Sequence, residues 1–238
     1  MPSSVLDVEC ISLAARSSPL SRAQVAEVLL EIRQFFPRIS FVSHYLETAG
    51  DKDLQTSLRM MGKTDFFSRE IDEMLLAGRC RIAIHSAKDL PEPLPEGLQM
   101  VALTRGVDPS DSLVLRGRET LYTLPTDSII ATSSKRREEA VKSLRADLLF
   151  VDIRGKIAER LRYIEKGKAD GVVVAESALI RLGLTYLNRL KLPMETAPFQ
   201  GQLAILAREK DTEMVALFSS IDVRKGYEEA LDNTLFRP

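Results

Sequence analysis

Two periods of apolar and polar residues alternate along this chain. Short, mostly apolar runs recur at 8–15, 39–45 and 81–86, and again at 128–131, 148–153 and 171–175. Their lengths suit buried strands. Between them, apolar residues return at helical spacing. In 21–36, Val25, Val28, Leu29, Ile32, Phe35 and Phe36 fall on one side of a helix. Ser21 and Gln24 are spaced as a capping box at its start, and Pro37 stops it. Helical spacing also covers 66–76, 135–144, 158–166 and 176–182. Strands alternating with helices predict an α/β architecture with mostly parallel sheets. The stretch 48–63 is polar, has no clear period and is long for a connection, which makes it a candidate lid. No internal repeat or heptad run is apparent.

Composition narrows the class. The 238 residues can form one large domain or two modest ones. Hydrophobic residues make up 45% and charged residues 28%, as in globular proteins that live in water. A formal net charge of −1 gives no basic field, which argues against a nucleic-acid partner. No run of apolar residues is long enough to span a bilayer, and Met1-Pro2-Ser3-Ser4 lacks the features of a signal peptide. With only Cys10 and Cys80, no disulfide framework is expected. These features together predict a cytoplasmic protein, and a monomer is expected. No metal site is expected, and His44 and His85 are the only histidines.

The segment Ile82-Ala83-Ile84-His85-Ser86-Ala87-Lys88-Asp89-Leu90-Pro91 carries the most chemistry. It sets a hydroxyl, an ammonium and a carboxylate at the C-terminal end of a buried strand, where open α/β sheets bind ligands. Taken alone, it is as readily an ordinary solvated strand end. Six other segments accompany it in order: Ala14-Ala15-Arg16-Ser17-Ser18-Pro19-Leu20, Asp108-Pro109-Ser110-Asp111-Ser112, Ala131-Thr132-Ser133-Ser134-Lys135-Arg136-Arg137, Ile153-Arg154-Gly155 with Arg160-Leu161, Leu179-Ile180-Arg181-Leu182-Gly183-Leu184, and Gln200-Gly201. This ordered set resembles the motifs of the hydroxymethylbilane synthase, or porphobilinogen deaminase, family from about residue 10 to residue 208.

The resemblance implies two periplasmic-binding-protein-like α/β domains facing a cleft, with the chain crossing between them twice. Domain 1 would hold 1–105 and 200–220, domain 2 would hold 106–199, and 221–238 would be a helical tail (helix at about 223–235). The family's third, α+β domain would be absent. The implied activity is the stepwise deaminating condensation of four porphobilinogen molecules to hydroxymethylbilane in tetrapyrrole and haem biosynthesis. The partners are then porphobilinogen and linear pyrrole chains.

The resemblance assigns the catalytic aspartate to Asp89. An ionised carboxylate there would accept pyrrole N–H bonds and steady positive charge. It implies substrate- or cofactor-binding roles for Arg16, Lys63, Ser86, Lys88, Thr132, Ser133, Ser134, Arg136, Arg137, Arg154, Gly155, Arg160, Arg181 and Gln200. Guanidinium forks suit the many carboxylates of such ligands. Arg136 and Arg137 also oppose the dipole of the helix they begin, which favours a functional reason for them. His85 has a weaker claim, since a lone strand-end histidine is often structural.

Family members carry a dipyrromethane cofactor on a third-domain cysteine. No cysteine follows Cys80 in this sequence. Cys10 and Cys80 are both expected to be buried, inert thiols, so any dipyrromethane is expected to be held noncovalently or to be absent. The lid motif Thr-Arg-Gly-Asp stands here as Thr48-Ala49-Gly50-Asp51. Two rivals remain open. One is a two-lobed protein that binds polycarboxylate pyrroles or small anions without chemistry. The other is a regulator's effector domain of the same architecture.

Overall fold

The computed structural model describes residues 10–57, 59 and 64–224. Lys63 and most of the expected tail at 221–238 lie outside these residues. Contacts divide the chain into two compact units. The first comprises Met1–Ala49, Thr64–Gly106 and Gln202–Pro238; the second comprises Gly50–Lys63 and Val107–Gly201.

The first unit is built on a five-stranded sheet. Its strands are β1 (Cys10–Arg16), β2 (Ser40–Leu46), β3 (Ile82–Ser86), β4 (Leu98–Leu103) and β10 (Leu203–Arg208), in the order β2-β1-β3-β10-β4. Strands β1, β2 and β3 run parallel, while β10 is antiparallel to both of its neighbours. Both faces are covered, so the strands read as nearly continuous apolar runs. Alternate residues go to opposite faces. Ile11, Leu13, Ile82, Ile84, Leu203 and Ile205 pack with helices α1 (Pro19–Phe35) and α7 (Thr212–Phe218). Ala14, Ala83, Ala204 and Leu206 pack with Ile71 and Leu75 of α3 (Arg69–Leu76).

Helix α1 begins two residues before the expected capping box. Ser18 is the N-cap, accepting a hydrogen bond from Ser21 N at 3.2 Å, and Pro19 opens the helix. Proline suits that position because its missing N–H would be unpaired there anyway. Gln24 is thereby freed from capping. Cys80 is buried as expected, but Cys10, at the start of β1, is exposed.

The second unit repeats the plan. Strands β5 (Asp111–Leu115), β6 (Ile129–Ala131), β7 (Leu149–Val151), β8 (Gly171–Ala175) and β9 (Arg189–Lys191) lie in the order β7-β6-β8-β5-β9. Here β5 is the antiparallel fourth strand. Val141 of α4 (Lys135–Leu144) covers one face; Ile164 of α5 (Ile157–Glu165) and Leu179 of α6 (Glu176–Arg181) cover the other. Each sheet is therefore mixed, with four strands running one way and one against them, close to the mostly parallel sheets expected. The chain passes from one sheet to the other after β4 and returns with β10. In each sheet the antiparallel strand is the first one formed after a passage.

At the return, Gly201 has φ +88°, and a Cβ there would lie 2.9 Å from the Val107 carbonyl oxygen. Both features require glycine. Gly201→Ala is expected to destabilise the protein by about 1–3 kcal/mol, read as a lower urea midpoint at unchanged slope. No helix among the described residues is long and apolar enough to cross a membrane.

Candidate functional site

Strand β3 ends in a single 3-10 turn, Ala87–Asp89. Its apolar residues anchor the strand in the core, so the polar residues that follow emerge at a fixed place. Ser86 Oγ accepts a 2.8 Å hydrogen bond from Nε2 of the freed Gln24 on α1. Arg16, at the end of the neighbouring strand β1, lays its guanidinium over the Phe67 ring, 4.6 Å from the centroid. Asp89 is exposed. Arg16, Gln24, Phe67, His85, Ser86 and Asp89 line a common small cavity that opens to solvent. Lys88 lies on the same turn, half-buried, and is not among the cavity's lining residues.

Two residues of this cavity carry buried polar groups. Ser68 lines it and is 2% exposed. His85, 7% exposed, sets Nε2 3.5 Å from Oδ1 of Asp72, which is 3% exposed. That separation exceeds a normal hydrogen bond. Ser68 Oγ, His85 Nε2 and both Asp72 carboxylate oxygens have no hydrogen-bond partner. The sequence offered His85 only a weaker claim and pointed to neither Ser68 nor Asp72. Asp72 and His85 are far apart along the chain, and Asp72 reads as an ordinary polar residue in the first turn of a helix.

In the second unit the organising residue is Asp111, also missed in the sequence. It begins β5 with no exposed surface. Its Oδ1 accepts from Arg137 Nη2 at 2.6 Å and Nε at 2.9 Å, and from Gln200 Nε2 at 3.0 Å; its Oδ2 accepts from Arg136 Nη2 at 2.7 Å. Burial pushes the Asp111 carboxyl up, but the Arg137 and Arg136 guanidiniums outweigh it and hold it below the usual range. An aspartate opening the apolar run Asp111-Ser112-Leu113-Val114-Leu115 was the available signal. Arg137 is buried, whereas the Arg136 side chain is 33% exposed and also donates to the Glu195 carbonyl at 2.6 Å.

The remaining expected residues of this unit sit close to backbone. Thr132 is buried and its carbonyl accepts from Arg59 Nη2 at 3.0 Å. Ser133 exchanges hydrogen bonds with Ile153, donating to its carbonyl and accepting from its N–H. Ser134 is the N-cap of α4. Arg154 Nη2 donates to the carbonyls of Gly50 and Asp53 at 3.1 and 2.7 Å. Gly155, with φ +98°, gives its carbonyl to Arg160 Nε at 2.8 Å. Arg181 Nη2 donates to the Gly201 carbonyl at 2.8 Å. In the expected lid, Ala49–Lys52 form a short helix, α2.

Comparison with known proteins gives a consistent result. The family model described as "Porphobilinogen deaminase, dipyromethane cofactor binding domain" matches residues 11–216. A porphobilinogen deaminase of Desulforudis audaxviator is 36% identical, over 89% of this chain and 70% of its own. A probable porphobilinogen deaminase of Chlamydia muridarum is 40% identical, over 82% of this chain and 80% of its own. Among solved structures, a periplasmic substrate-binding protein of an ABC transporter from Coxiella burnetii superposes with a TM-score of 0.56 at 14% identity, covering 89% of this chain and 91% of its own. At that identity the likeness is one of fold.

Proposed function

The chain belongs to the porphobilinogen deaminase family, and from this we propose that it joins porphobilinogen units into a linear tetrapyrrole, releasing ammonia at each step. The observation that carries this reading is the placement of Asp89. It is an exposed carboxylate at the end of a rigid buried strand, in a polar cavity that it shares with Arg16.

In this reading Asp89 accepts a pyrrole N–H and stabilises the positive charge that develops as the aminomethyl C–N bond breaks. Ammonia leaves with the bonding pair. The free α-carbon of the growing chain then attacks the electrophilic methylene and loses its proton. Arg16, its guanidinium over the Phe67 ring, takes a ring carboxylate. Arg136, Arg160 and Arg181 bind further carboxylates, with Arg137 serving to fix Arg136 through Asp111.

The described residues fit a dipyrromethane by their chemistry: Arg16 suits its carboxylates, Asp89 its N–H groups, and two unpartnered buried polar side chains line the cavity. When bound, that group supplies the α-carbon to which the first unit adds. Cys80 is buried, and burial pushes its thiol up despite nearby Arg79, so it is a poor nucleophile. Cys10 is the only exposed thiol of the sequence, but it starts β1, at the opposite end of that strand from Arg16.

Purified protein is therefore expected to show the bare chain mass by denaturing mass spectrometry, and to lose any bound pyrrole at high salt. A dipyrromethane adduct that disappears in Cys10→Ser would refute noncovalent holding. The reaction itself is tested by incubation with porphobilinogen, oxidation and porphyrin fluorescence. Binding without turnover would leave the chain a pyrrole-binding protein.

A further inference from the structure

We propose that Ser68 and His85, the latter positioned by Asp72, form an ammonium-binding subsite in the wall of the Asp89 cavity. The ligand group is the primary ammonium of an aminomethyl-pyrrole, so the proposal rests on the pyrrole reading of that cavity.

Buried polar groups are nearly always hydrogen-bonded, and the exceptions call for an explanation. Here three exceptions gather around one cavity. Ser68 stands at the N-cap of α3, where a serine hydroxyl ordinarily accepts a backbone N–H. It makes no such bond, and its hydroxyl stays buried and unpartnered although the residue lines the cavity. His85 also lines the cavity, with its Nε2 buried on the Asp72 side. The two nitrogens of an imidazole lie on well-separated edges of the ring. A proton on Nε2, directed at Asp72, leaves Nδ1 as a lone-pair acceptor on the other edge. Asp72, buried with Oδ1 3.5 Å from Nε2, is the acceptor that favours the proton on that nitrogen.

An ammonium group has three donors and no acceptor. Ser68 Oγ and His85 Nδ1 offer it two neutral acceptors in the wall of the cavity that Asp89 also lines. Arg16, the cavity's guanidinium, is complementary to the carboxylates of the same ligand. The assignment divides the labour within the cavity. Asp89 is left to the pyrrole N–H, while the leaving group is held by groups that do not bond so strongly as to retain it. Asp72 touches no ligand and acts through His85 as a positioning residue.

The test compares porphobilinogen with its analogue carrying methyl in place of aminomethyl, by calorimetry on the full chain. Asp89→Asn serves as background, because it removes the competing carboxylate and slows consumption of the ligand. Hydrogen bonds to a charged group predict a preference for the amine of about tenfold or more. Adding His85→Phe, Ser68→Ala or Asp72→Asn is expected to cut that preference to about twofold, with affinity for the methyl analogue nearly unchanged. A merely structural role would move both ligands together. Should His85→Phe fail to fold, Ser68→Ala and Asp72→Asn decide the matter. An undiminished preference in these folded variants would overturn the subsite alone. Wild-type protein that binds no porphobilinogen would overturn the pyrrole reading with it.

Discussion

Asp89→Asn is expected to lower porphobilinogen turnover by about 100- to 1,000-fold, the effect of removing one preorganised group worth roughly 2.7–4 kcal/mol in a transition state. The isosteric amide keeps the side chain's size but removes the charge that opposes a developing pyrrole cation. Asp89 is exposed and ends a one-turn 3-10 segment. Its replacement therefore leaves the core untouched, and the urea midpoint should stay within error of wild type. Initial rates and denaturation curves on the same preparation separate the two effects. Near-normal turnover in a folded Asp89→Asn protein would remove this carboxylate from the chemistry.

The largest loss of stability is expected at Asp111. Asp111→Ala leaves the buried Arg137 guanidinium without its carboxylate and strips Arg136 and Gln200 of a shared acceptor. Removing one partner of a buried ion pair costs about 3–5 kcal/mol, a large share of the roughly 5–15 kcal/mol that holds a domain folded. The urea midpoint of the variant should fall accordingly, and a shift of only a few tenths of a molar would contradict this role. The same carboxylate links stability to pH. Its folded value lies below its ordinary one, so its contribution is complete above about pH 4. It is lost as pH falls through the lower, folded value. Between pH 4 and 7, wild type and Asp111→Ala should differ by a constant amount, and the gap should close only in stronger acid.

The sequence showed the βα alternation because amphipathic helices and buried strands differ in period. Helix α4 and strand β8 fall where the spacing predicts them, at Lys135–Leu144 and Gly171–Ala175. Strands β4, β5, β9 and β10 were missed. All four flank the passages between sheets, where loop-forming residues dominate the pattern. Strand β5 starts with a charged residue whose burial depends on arginines about 25 positions away. The direction of β10 and β5 is a property of their neighbours rather than of their own residues, so no local pattern reveals it. The placement of Asp89 just beyond a buried strand was legible because the strand end fixes it locally. The Ser68, Asp72 and His85 cluster was not, because only the packing of α3 against the sheet brings it together. The roles expected of Arg136 and Arg137 took no account of Asp111, the internal carboxylate that both of them bind.

The position of β10 between β3 and β4 sets an order of events at the ribosome. Every strand of the second sheet lies between Asp111 and Lys191, so that sheet has all of its members before residue 203 exists. The first sheet does not. Until Leu203–Arg208 emerge, β3 and β4 have no strand between them, and each presents an unpaired backbone edge flanked by apolar side chains. Such edges invite pairing with other chains. The unit that carries the Asp89 cavity thus begins synthesis first and closes last, and it is this half of the nascent protein that most needs shelter from its neighbours.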